Sequence, residues 1–266
     1  MKRSPSIIQA VAPMTVLTLV LFAAEECRAD AQVYERTLRS TAWIVSPVDK
    51  GDASIGTGFV ADAHRKWVVT NYHVVEERKK ALVFFPQFRG DRVIAEPNHY
   101  TANAEKNGTP GQVIAVDKKR DLAIVEVKSL PSGIFDLTLA PRSPRPGETV
   151  HSIGNSGAND GALWRYSKGE VRQVYSTRFK AKDSGGTTLE IEARVVETQV
   201  PTNVGDSGGP VVNDKGELVA VTQSNSTKQR LVSYSIDVGE VRSFLRSSIL
   251  REKTNRSGSE RWASAD

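Results

Sequence analysis

One serine in this chain sits where its hydroxyl could react. Asn203-Val204-Gly205-Asp206-Ser207-Gly208-Gly209-Pro210 is a glycine-rich turn that opens an apolar strand. A serine hydroxyl stays protonated at neutral pH and attacks only when a neighbouring base takes its proton. Flanking glycines let the chain turn sharply, project the hydroxyl, and bring backbone N–H groups near a substrate oxygen that gains charge. Ser207 is therefore the candidate nucleophile. Taken alone, the same turn also reads as a hairpin with an incidental serine.

The base must come from one of four histidines, His64, His73, His99 and His151, and all of them precede Ser207. The turn matches G-x-S-x-G, but hydrolases built on that elbow need their acid and histidine after the serine, and the chain lacks alternating strand–helix units. The order His, Asp, Ser remains. His73 ends the apolar run Trp67-Val68-Val69-Thr70-Asn71-Tyr72, a rigid platform for an imidazole. His64 lies beside Arg65 in a polar turn, His99 lies in a polar stretch, and His151 alternates with apolar residues as a structural histidine does. For the acid that orients the base, Asp121 opens Leu122-Ala123-Ile124-Val125-Glu126-Val127, and Asp117 is the second candidate.

These residues need strands to hold them. From Trp43 onward the chain reads as short β-branched and aromatic runs separated by Gly, Asp, Asn or Pro. The pattern predicts an all-β fold of two barrels or sandwiches of about six strands each. Three prolines in 141–148 break the chain into a first barrel over 32–140 and a second over 149–236. The polar stretch from Phe88 to Gly111 reads as a surface excursion of the first barrel. A helix follows over 237–251, capped by Asp237 with Glu240 completing a capping box, and Val241, Phe244, Leu245 and Ile249 share its apolar face. Residues 252–266 carry no core pattern and read as a disordered tail.

Residues 1–31 read as a signal peptide: Lys2 and Arg3, an apolar run from Met14 to Ala24, and Ala29-Asp30-Ala31 before the cut. The run is too short for a stable membrane span, so the expected location is periplasmic or secreted. Cleavage there removes Cys27, the only cysteine, so no disulfide supports the remaining chain. A formal net charge of +5 favours solubility and is no nucleic-acid signature. Scattered histidines without cysteine partners point away from metal catalysis, and nothing calls for a cofactor.

The segments Gly56-Thr57-Gly58-Phe59-Val60, Thr70-Asn71-Tyr72-His73-Val74-Val75, Asp121-Leu122-Ala123-Ile124-Val125, Ile153-Gly154-Asn155 and Gly205-Asp206-Ser207-Gly208-Gly209-Pro210 resemble, in order, trypsin-like serine proteases of the high-temperature-requirement (HtrA/Deg) type. The resemblance spans roughly residues 35–250. It implies two six-stranded antiparallel β-barrels with the active site in the cleft between them, and a catalytic triad of His73, Asp121 and Ser207. It also implies an oxyanion hole made by the backbone N–H groups of Gly205 and Ser207, and polypeptide substrates cleaved as by a serine endopeptidase. The chain departs from the family in two places. The family usually carries peptide-binding PDZ domains after the protease unit, whereas the expectation here is a protease domain without one, and Asp206 stands where the family usually has Asn. Asp206 resembles digestive proteases in this, but no Ile-Val-Gly-Gly start is present to pair with it, so a local donor is expected. In trypsin-like enzymes an acid six residues before the nucleophile selects Lys or Arg, whereas this chain has Pro201 there. Pro201, Thr222, Gln223 and Ser224 are the expected substrate-binding residues, suited to a small or medium aliphatic side chain. The competing function is a catalytically silent protein-binding or chaperone-like module on the same fold.

Overall fold

The computed structural model describes residues 30–47, 53–158, 161–182, 188–225 and 232–263. The signal-peptide reading falls almost wholly outside them, since only Asp30 and Ala31 are described. Those two belong to a helix, α1, described over residues 30–38. The sequence reading did not foresee it. Its buried residues, Val33, Thr37 and Leu38, are too few for a helical period to show.

The first barrel closes in the order β1-β2-β3-β8-β7-β4, all neighbours antiparallel. Its strands are β1 (Thr41–Pro47), β2 (Ala53–Asp62), β3 (Trp67–Thr70), β4 (Lys80–Phe84), β7 (Gly108–Asp117) and β8 (Leu122–Val127). A one-turn helix, α2 (Tyr72–Val75), follows β3. Between β4 and β7 lie a small hairpin, β5 (Phe88–Arg89) with β6 (Arg92–Val93), and two short helices, α3 (Pro97–Thr101) and α4 (Ala104–Asn107). The second barrel closes as β10-β11-β14-β13-β12-β9. Its strands are β9 (Thr149–Gly154), β10 (Arg165–Lys182), β11 (Thr188–Thr198), β12 (Pro210–Val212), β13 (Leu218–Asn225) and β14 (Ser233–Asp237). Both six-stranded barrels agree with the expected all-β architecture.

Strand alternation explains which face each residue takes. Along β11, Ile191, Ala193 and Val195 are buried while Glu190, Glu192 and Arg194 point to solvent. Val60, Val68, Val83 and Val125 fill the first barrel, and Val150, Val171, Val196 and Val211 the second. A third apolar layer joins the two. Phe59, Val69 and Ile124 of one barrel meet Val195, Leu218 and Ile236 of the other. Each such side chain contributes about 1.5–3 kcal/mol by leaving water.

The last helix, α5 (Val238–Ala263), closes over this layer with Val241, Phe244 and Leu245 buried. It runs past Arg251, where the apolar pattern had placed its end. Asp237 caps it, accepting the N–H of Gly239 at 2.8 Å. Glu240 does not complete the capping box. It accepts instead from the Arg120 guanidinium, 2.6 Å, and the Arg194 N–H, 3.1 Å, donors that barrel packing brings closer than its own helix start.

The 88–111 stretch leaves the first barrel between β4 and β7, although its last residues from Gly108 already belong to β7, and it is anchored by Tyr100, fully buried among Trp43, Phe84 and Trp164. Polar composition hid one aromatic anchor.

Candidate active site

His73, Asp121 and Ser207 come from three separate places in the chain. His73 sits in α2, where the chain turns out of β3, and keeps 15% of its side chain exposed. Asp121 ends the turn before β8 and is wholly buried. Its φ of 52° is left-handed, a conformation that Asp tolerates better than most residues, and the Asn71 side-chain amide holds its carbonyl at 2.8 Å. The carboxylate grips His73 twice: Oδ1 accepts the His73 backbone N–H at 2.9 Å, and Oδ2 lies 2.7 Å from Nδ1. A carboxylate only accepts, so this bond assigns the ring proton to Nδ1 and leaves Nε2 as an acceptor.

Asp117 lies elsewhere. It binds the backbone and guanidinium of Arg120, at 3.0 and 2.6 Å, on the outside of the same turn. His151 is buried in β9 between the Tyr166 hydroxyl and Asp214, each 2.8 Å away, a structural position. His99 bonds to Gln87 and His64 is exposed.

The turn around Ser207 is held on every side. Asp206 N–H reaches back to Asn203 O at 3.1 Å, and Gly205 takes φ 101°, the signature of a type II turn with glycine third. Gly208 has φ 84°, and a Cβ there would meet Thr57 O at 2.2 Å, so only glycine fits. Thr57 binds the turn twice, donating its N–H to Ser207 O at 2.8 Å and its hydroxyl to Gly205 O at 2.7 Å. The N–H groups of Gly208 and Gly209 go to Thr222 O and Asp206 O. Among the described residues, no backbone carbonyl takes the N–H of Gly205 or Ser207. The Ser207 hydroxyl rests on Gln223 O at 3.3 Å, a long bond.

Asp206 finds local donors. Oδ2 accepts the Asn203 N–H at 2.8 Å and Oδ1 the Ser156 N–H at 3.1 Å. Burial nevertheless pushes its carboxyl above the usual range, against the pull of these donors and of the Arg165 charge. Asp206, Arg165, Ser156 and Asn203 line a cavity of about 310 Å³, and the exposed Pro201 borders it.

Of the other expected substrate residues, Thr222 is buried with its hydroxyl toward Ser152, 3.4 Å, and only the backbone of Ser224 is described. Gln223 is the residue whose part the sequence reading missed. The register between β13 and β14 shifts between Thr222 and Ser224, so Gln223 is the extra residue of a bulge. The bulge aims its side chain at Asp121 Oδ2, 3.2 Å, and its carbonyl at Ser207. No local pattern marks such a bulge in advance.

Residues 56–221 match the protein family described as "Trypsin-like peptidase domain". "Serine protease HTRA1" of Xenopus tropicalis is 26% identical over 260 residues, covering 86% of this chain and 53% of that protein. "Periplasmic serine endoprotease DegP" of Salmonella typhimurium is 27% identical over 169 residues, covering 63% of this chain and 29% of that one. The chain thus spans about a third to half the length of these curated relatives. Among solved structures, the active form of the Rv3671c protease from M. tuberculosis superposes with TM-score 0.63 at 24% identity, covering 80% of this chain and 82% of that one. The serine endoprotease from Yersinia pestis superposes with TM-score 0.59 at 17% identity, covering 82% and 66%. At these identities the superpositions speak for the fold.

Proposed function

Since the chain belongs to the trypsin-like peptidase domain family, we propose that it is a serine endopeptidase in which Ser207, His73 and Asp121 carry the reaction. The Asp121–His73 pair supports this reading most: a buried carboxylate 2.7 Å from Nδ1 orients the ring and makes Nε2 its acceptor nitrogen.

In this reading the peptide substrate displaces the Ser207 hydroxyl from Gln223 O. Nε2 of His73 takes the hydroxyl proton as Oγ bonds to the scissile carbonyl carbon. The carbonyl oxygen gains charge and is received by the N–H groups of Gly205 and Ser207, where one such donor is worth about 2.7–4 kcal/mol of barrier. His73 then gives its proton to the leaving amine, the C–N bond breaks, and an acyl-enzyme ester remains on Ser207. Water, deprotonated by the same imidazole, hydrolyses the ester and frees Ser207. Asp121 holds the tautomer and stabilises the imidazolium throughout.

Substrates are proposed to be polypeptides, in protein processing or quality control outside the cytoplasm. The named relatives include a periplasmic endoprotease, and no helix among the described residues is long and apolar enough to cross a membrane. No acid stands at Pro201 to attract Lys or Arg, which favours an apolar residue before the scissile bond. The test pairs a fluorophosphonate probe with a peptide-library digest, using Ser207→Ala as control. Labelling at Ser207 and cleavage that vanishes in the variant are expected. A chain that binds peptides but is neither labelled nor hydrolytic would be the silent binding module instead.

A further inference from the structure

The excursion from β5 to α4 belongs to neither barrel, yet it is bonded to the segment that supports the nucleophile turn. Its buried anchor is Tyr100, whose hydroxyl donates to Ile94 O at 2.7 Å and accepts the Gln87 N–H at 3.1 Å. Trp164, the residue just before β10, comes to meet it. The indole N–H is shared between Ile94 O at 3.1 Å and the Tyr100 hydroxyl at 3.2 Å, and the two rings pack edge to face with centroids 5.9 Å apart. Next to it, Leu163 N–H reaches Ala95 O at 2.9 Å. Trp164 is 2% exposed and holds φ at 61°, a left-handed conformation that a bulky residue keeps only where its surroundings impose it.

The path continues to the turn. The Trp164 backbone N–H donates to Asn155 Oδ1 at 3.1 Å. Asn155 is fully buried and gives its remaining polar hydrogens away from the loop: Nδ2 to Ala42 O at 3.3 Å and Thr57 Oγ1 at 3.1 Å, and its N–H to Thr57 Oγ1 at 3.0 Å. With two donors from Asn155 fixing that oxygen, the single Thr57 hydroxyl proton has one direction left, toward Gly205 O at 2.7 Å. The adjoining Ser156 N–H holds Asp206. A shift of Trp164 therefore reaches the Gly205 carbonyl and the Asp206 carboxylate through direct bonds.

We propose that this excursion sets the reactive shape of the nucleophile turn, with Tyr100 and Trp164 as positioning residues acting through Asn155 and Thr57. The inference rests on the reading of Ser207 as nucleophile. A purely packed cluster has no need of this polar path. Among the described residues, Trp43 of the same cluster leaves its indole nitrogen without a hydrogen-bond partner.

Tyr100→Phe and Trp164→Phe keep an aromatic ring and delete the polar link, while Trp43→Phe loosens the same cluster without touching it. Each full-length variant is titrated with a fluorophosphonate, and kcat and KM on one peptide are expressed per labelled Ser207. Loss of kcat by ~10-fold or more is expected in the Tyr100 and Trp164 variants, with KM within about twofold, since sub-ångström misplacement at a reacting centre costs rate. Trp43→Phe should lower only the melting temperature. If the Tyr100 and Trp164 variants lose melting temperature or labelled fraction but keep kcat per labelled serine, the excursion is packing and the inference is wrong. If wild-type Ser207 takes no label, the proposed function fails first, and the inference with it.

Discussion

Gln223 places its side-chain amide 3.2 Å from the same Asp121 oxygen that holds His73, although 102 positions separate the two residues. Among the described residues, the wholly buried Asp121 carboxylate thus accepts three hydrogen bonds, two from His73 and one from Gln223. Gln223→Leu keeps the volume and removes the donor. A hydrogen bond to a charged group contributes about 1.5–3 kcal/mol, so kcat should fall by roughly 10- to 100-fold, with little change in KM. Gln223→Glu should be worse, because a second carboxylate beside Asp121 opposes ionisation of the pair. Wild-type kcat in the Leu variant would show that His73 and the fold suffice to orient Asp121.

Ser207 and His73 should behave as one unit. Either alanine substitution is expected to lower kcat by about 10⁴–10⁶, and the double variant little more. Both residues are only partly buried, so melting temperature should barely move. Substantial turnover by Ser207→Ala would remove the serine from the mechanism.

The two aspartates of one turn offer an internal comparison. Asp121→Asn should lower kcat by about 10⁴ by favouring the wrong imidazole tautomer. Asp117→Asn loses only contacts to Arg120, on a side chain 20% exposed, and should leave kcat nearly intact. The reverse ranking, measured on one peptide, would reassign the acid.

Asp206 makes a prediction about pH. Burial raises its carboxyl above the ordinary range more than the Asn203 and Ser156 donors and the Arg165 charge lower it. The folded chain therefore binds this proton more tightly than the unfolded chain. The resulting stabilisation is complete below the unfolded pKa of about 3.9 and is lost as pH rises through the raised value. Asp206→Asn removes that titration. The melting temperature of the variant minus that of the wild type should climb as pH rises above about 4. A difference that falls over this range would mean that the donors outweigh the burial.

Turn chemistry and strand alternation act over a few residues, and much of what they govern was legible in the sequence. Glycines around Ser207, the apolar run ending at His73, the Asp121 strand start and the Asp237 cap each declare themselves within about one turn or one strand. So does the division into two all-β units, because β-branched runs alternate with breakers along the whole chain. The structure alone decided which buried polar groups meet. Thr57 could have been an ordinary strand residue until barrel closure set its hydroxyl against Gly205, 148 positions away. Gln223 looked like a pocket wall until a bulge turned it to Asp121. Tyr100 vanished in a polar stretch until Trp164 arrived from the other barrel. Each partner is selected by desolvation: once two surfaces are buried together, a donor left unpaired costs free energy, so most pair with whatever acceptors the fold has brought there. That choice depends on distances in space, which no pattern along the chain contains.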